Sequence, residues 1–141
     1  MKVQAAARLI ALAAILSGSM ACGAKTPTEP DLPVYDLKTE TFNGNVKAAG
    51  TEAFPFTVVN PGDIQVAITA LSPNSALTMG IGLGFWEPTT SVCTQQLSTT
   101  AATINVAFAA NPSSAGQYCV AIFDTGNVVV SSDFTLTVTH Y

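Results

Sequence analysis

The sequence predicts an all-β fold, a single antiparallel β-sandwich or jelly roll that follows a signal segment and a short tether. Three observations carry that expectation. From about Lys38 onward, apolar residues recur with a period of two. Clusters of Pro, Gly, Asn, Asp and Ser interrupt this alternation at short intervals, as turns between short strands do. Only 10% of residues are charged although 48% are hydrophobic, so Thr, Ser, Asn and Gln must supply the solvent-facing surface. That composition suits strands with hydroxyl-bearing outer faces better than helices with charged ones.

Residues 1–21 read as a signal peptide. Lys2 and Arg8 form a positive start, residues 9–16 a compact apolar core, and Ser17-Gly18-Ser19-Met20-Ala21 a run of mostly small residues before Cys22. The apolar core is too short to cross a ~30 Å hydrocarbon layer as a helix. Residues 22–37 form a Pro/Thr-rich tether, in which Pro27, Pro30 and Pro33 break any helix. From Cys22 to about Asp36, some fourteen residues in a semi-extended state, it reaches ~40 Å.

Strand signals fill residues 38–141. Thr39 to Lys47 gives a first strand around Phe42, and Phe54–Val59 a second, which Pro55 confines to a sheet edge or a bulge. Ile64, Val66 and Ile68 alternate with polar or small residues after the Asn60-Pro61-Gly62-Asp63 turn. Leu77, Met79, Ile81 and Leu83 alternate with Thr78 and three glycines, so one face packs side chains while the glycine face accepts a neighbouring backbone. Ile104, Val106 and Phe108 predict a further strand, Tyr118 to Phe123 another, and Phe134, Leu136 and Val138 the last. Asp124-Thr125-Gly126-Asn127 is read as a hairpin turn, with a calcium site through Asp124 and Asn127 as the weaker alternative.

Phe42-x-Gly44, Phe54-x-Phe56-x-Val58, Gly62-x-Ile64-x-Val66-x-Ile68-x-x-Leu71 and Gly116-x-Tyr118-x-Val120 together resemble the bacterial pre-peptidase C-terminal domain over residues 39 to 140. The resemblance implies a β-sandwich of the kind appended to secreted enzymes as an accessory module. This chain departs from that pattern because no enzyme precedes the module here. The acidic ligands of calcium-binding relatives have no match, so no metal site or cofactor is carried over.

The residues before Cys22 resemble the lipobox of bacterial lipoproteins, which makes Cys22 the candidate lipid attachment site. Ser19 stands where Leu is usual, so an ordinary signal peptidase reading Ser19-Met20-Ala21 competes for the same bond. Three cysteines in an exported chain are odd in number. Giving Cys22 to a lipid leaves Cys93 and Cys119 as a disulfide worth ~3–4 kcal/mol on the chain-entropy model; two free buried thiols are the alternative.

Catalytic chemistry lacks its parts. His140 is the one histidine, expected as an exposed strand-end residue, and no Gly-x-Ser-x-Gly elbow, phosphate loop or zinc helix is present. The expectation is therefore no enzyme and no catalytic residue. The formal net charge is −4, and loss of Lys2 and Arg8 with the leader takes it to −6, three Lys against nine Asp and Glu. Such a surface repels phosphate backbones, so no nucleic acid is expected as a partner. The candidate ligand-binding residues are Phe85, Trp86 and Glu87, placed in a loop between strands. An exposed Trp beside an acid would stack on a sugar ring or anchor a protein partner; Phe85 and Trp86 plugging one end of the sandwich is the competing reading. The expectation is an envelope protein of the outer membrane, otherwise periplasmic or secreted, held to the membrane by an N-terminal lipid.

Overall fold

The computed structural model describes residues 35–141. The signal peptide, Cys22 and all but the last residues of the tether lie outside the described residues. Eight strands follow one another: β1 (Lys38–Lys47), β2 (Thr51–Val58), β3 (Ile64–Ser72), β4 (Met79–Glu87), β5 (Val92–Ala102), β6 (Ala107–Ala110), β7 (Gly116–Phe123) and β8 (Ser131–His140). They form two four-stranded antiparallel sheets, one ordered β1-β8-β3-β6 and the other β2-β7-β4-β5. The all-β sandwich expected from the alternation is the fold found.

The core is the set of inward positions that the period of two selects. Ile64, Val66 and Ile68 of β3 and Phe134, Leu136 and Val138 of β8 face Met79, Ile81 and Leu83 of β4 and Tyr118, Val120 and Ile122 of β7, all buried. Each large aliphatic side chain so buried contributes ~1.5–3 kcal/mol relative to exposure. Phe42 stacks on Phe54 with ring centroids 5.1 Å apart, closing the side where the edge strands β1 and β2 meet. Pro55, which cannot donate to a ladder, sits in β2 at the edge of its sheet.

Strand-to-strand links mostly cross between the sheets, and two side chains pin them. Tyr118 donates its hydroxyl to the Ser114 carbonyl at 2.9 Å, fixing the β6–β7 crossover against the start of β7. Asp124 pins the opposite end. One carboxylate oxygen accepts from the backbone N–H groups of Gly126, Asn127 and Val128 at 2.8, 2.8 and 3.0 Å. The other accepts from Ala49 N–H at 2.8 Å, tying the β1–β2 turn to the β7–β8 link. This corrects the hairpin expectation, because β7 and β8 lie in different sheets and the segment is an inter-sheet crossover.

Two further differences have local causes. The expected strand through Ile104, Val106 and Phe108 is shorter. Asn105 adopts φ +64°, a left-handed conformation Asn tolerates, so the chain turns there, Val106 is exposed, and β6 begins only at Ala107. Conversely, β5 is an 11-residue strand the alternation did not reveal. It lies at a sheet edge with most side chains exposed, so its apolar residues follow no inward phase.

Candidate functional site

The segment singled out by its tryptophan is strand, not loop. β4 continues through Glu87, because Phe85 pairs with both Tyr118 of β7 and Thr94 of β5, and Trp86 with Cys93 of β5. Successive side chains on a strand point to opposite faces, so Phe85, Trp86 and Glu87 do not form one patch. Phe85 points to the inner side, packs on the Tyr118 ring with centroids 5.2 Å apart, and remains half exposed. It lines an apolar recess of about 240 Å³ with Leu83, Leu97, Pro112 and Tyr118. Trp86, half-buried, stands on the outer face. Glu87 turns onto its own turn: Oε1 accepts from Thr89 N–H at 3.2 Å and from the Thr89 hydroxyl, bonds that lower its pKa.

The outer face around Trp86 owes its form to the three glycines of β4. A Cβ at Gly80 would run into the Phe123 ring and one at Gly82 into the Gln95 side chain. At Gly84 it would fall 2.6 Å from the Thr94 carbonyl carbon and 2.7 Å from Gln95 Cα. The expectation of a backbone against the glycine face is thus met at Gly84, while the other two accept side chains. β5 folds over this face, and Cys93 and Cys119 lie at disulfide distance across it, with S–S 2.05 Å and Cα–Cα 5.7 Å.

Next to this bridged region, Trp86 and Pro88 form a shallow groove of about 400 Å³ with Pro55, Thr57 and Gln117, reaching Lys38 and Glu40 of β1. The polar rim of the groove is organised from below. His140 is fully buried, not the exposed strand-end residue expected, because it continues the inward phase of Phe134, Leu136 and Val138. Its ring lies 5.1 Å from that of Phe56. Its Nε2 lies 3.0 Å from Glu40 Oε1, and its Nδ1 3.2 Å from the Tyr141 carbonyl. Lys38 Nζ donates to the same Glu40 oxygen at 2.8 Å. Burial pushes the Glu40 carboxyl up, but the hydrogen bonds from Lys38 and His140, with the positive charge of Lys38, outweigh it and hold the pKa below the ordinary value.

Glu40, Lys38, Thr57 and Gln117 were not singled out from the sequence. One signal was available for Glu40, which shares the inward phase of Phe42, Gly44 and Val46 on β1. Among the described residues, no three His, Cys, Asp or Glu side chains cluster as metal ligands. Both carboxylate oxygens of Asp124 accept from backbone N–H groups, and Asn127 Nδ2 donates to the Thr78 carbonyl at 3.0 Å and to the Thr125 hydroxyl at 2.9 Å. Compared with known proteins, the chain matches no family model and no curated protein sequence.

Proposed function

We propose that the chain is an exported, lipid-anchored, non-catalytic binding or structural module of the bacterial cell envelope. The observation that carries this reading is the Cys93–Cys119 pair. A structural disulfide is at home in an oxidising compartment. With two of three cysteines joined, the odd thiol is Cys22, at the junction between a signal-like leader and a Pro/Thr-rich tether. Gly23 follows it where Asp would favour inner-membrane retention in well-studied Gram-negative bacteria, which makes the outer membrane the preferred location.

Support for a non-catalytic role comes from what the polar side chains already do. Both ring nitrogens of His140 lie at hydrogen-bonding distance from protein acceptors, and the ring is buried. Asp124 and Glu87 serve turns of the backbone. Two antiparallel four-stranded sheets are compatible with the pre-peptidase C-terminal resemblance, which stays part of the proposal.

Fractionating cells that express the full chain or its Cys22→Ala variant tests the anchor. The wild type is expected in the membrane fraction, with an acyl mass increment at its N-terminus, and the variant in the soluble periplasmic fraction. Release of both as soluble protein of equal mass, apart from the substitution, would overturn the lipid anchor.

A further inference from the structure

At the groove beside Trp86 an aromatic ring, two prolines and a set of hydrogen-bonding groups converge. Its volume of about 400 Å³ lies within the ~300–1,000 Å³ of small-ligand sites. Trp86 is held on a rigid strand, between Cys93 of β5 on one side and the Gln117 end of β7 on the other. Sites on strands hold their geometry better than sites on loops. Beneath the rim, the buried His140 ring and Lys38 both engage Oε1 of Glu40, which fixes the carboxylate and leaves Oε2 outside those two bonds. The ammonium of Lys38 uses one of its three donors on Glu40.

We infer that this groove binds a neutral, β-linked glycan chain, with one sugar ring stacked on Trp86 and its hydroxyls hydrogen-bonded to Glu40, Lys38 and Gln117. The inference deepens the binding-module reading and rests on it. A sugar hydroxyl both donates and accepts, and the rim offers an acceptor in Glu40, donors in Lys38, and both in Gln117 and Thr57. An anion meets donors only beside a carboxylate that repels it. Lys38 and Glu40 neutralise each other, while the chain as a whole carries a formal charge of −4, so polyanionic glycans are disfavoured. A chain of equatorially linked sugars presents flat C–H faces that match an indole plane. The groove is shallow and open to solvent, so it takes an internal stretch of the polymer and needs no chain end. A folded protein partner fits less well, because the patch is small and its rim is polar where protein interfaces place an apolar centre.

The test titrates the full chain, purified from membranes in detergent, with cellohexaose and chitohexaose, reading Trp86 fluorescence and binding heat; polygalacturonate is the acidic comparison. Binding of a neutral oligosaccharide is expected, with protection of the indole from acrylamide. Trp86→Ala is expected to weaken it at least tenfold, Trp86→Phe less, and Gln117→Ala several-fold, all with unchanged circular dichroism. If Trp86→Ala fails to fold, acrylamide protection in the wild type and the Gln117→Ala result decide. Overturning results are no neutral glycan bound up to millimolar concentration, binding indifferent to Trp86, or tighter binding of polygalacturonate. None of these touches the anchor, which the Cys22→Ala fractionation reads separately.

Discussion

Cys93 and Cys119 are bridged although a third strand, β4, lies between theirs in the sheet. Strands two apart in a sheet are ordinarily separated by ~9.5 Å, yet these Cα atoms are 5.7 Å apart. The sheet closes the gap by bending β5 over β4. A register irregularity between Leu83 and Gly84 marks the bend. Gly84, paired with Cys119, makes room for it by having no side chain.

The first prediction follows from that crossing. Gly84→Ala places a methyl group on the Thr94 backbone, which is not the movable end of a side chain. A loss of about 1–3 kcal/mol is expected, as for overpacked cores, read as a lower urea midpoint at unchanged slope. Gly126→Ala provides the contrast. Nothing lies within 4 Å of its Cβ position, and only its φ of +93° opposes the change. Equal tolerance of both substitutions would remove the argument that β5 is pressed onto β4.

Cys93→Ser is expected to destabilise the domain by ~3–4 kcal/mol while leaving the all-β circular dichroism spectrum in place. The core strands β3, β4, β7 and β8 do not depend on the bridge for their pairing. Thermal melts with and without reductant check this. A wild-type melting temperature indifferent to reductant, with full thiol reduction verified by mass, would show that the cross-link contributes nothing.

Asp124 predicts an acid-sensitive fold. Backbone N–H groups of Ala49, Val128, Asn127 and Gly126 hold its pKa down from 3.8 to about 2. A carboxylate depressed in the folded state contributes stability that is fully present above its unfolded pKa and lost as pH falls through the folded one. The melting temperature should therefore drop between about pH 4 and pH 2 in the wild type. In Asp124→Asn it should be several degrees lower at pH 7 and flatter across that window. Parallel curves for the two proteins between pH 4 and 2 would contradict the assignment.

Fold class was legible because buried strands write their inward phase into the sequence, as Ile64, Val66 and Ile68 or Phe134, Leu136 and Val138 do. β5 was not, since an edge strand with most side chains in water has no face to mark. The Cys93–Cys119 pair was reached by giving Cys22 to a lipid, which leaves two cysteines; that the pair skips a strand was not legible, because sheet order is not written locally. At the candidate site, Trp86 drew notice by its rarity, but its neighbours in the chain were the wrong companions. Phe85 and Glu87 leave for other surroundings, and the groove takes Glu40, Thr57 and Gln117 from three other strands. His140 was misjudged by its place near the chain end, although its phase with Val138 marked it as inward.

Glu40 and His140 give the last prediction. The His140 ring is buried, and Glu40 Oε1 is the acceptor that faces its Nε2. Glu40→Ala removes that acceptor and strands a buried polar nitrogen, which costs about 1–3 kcal/mol. Glu40→Gln keeps an acceptor oxygen in reach and should recover most of the loss, while giving up the ion pair with Lys38, an exposed contact of little weight. In a His140→Phe background no nitrogen is left to satisfy, so Glu40→Ala should cost far less there than in the wild type. Urea midpoints for the four combinations of Glu40→Ala and His140→Phe measure this coupling directly. A coupling near zero would mean that Glu40 acts on the domain through Lys38 or solvent, and that the rim of the groove is not organised from the core.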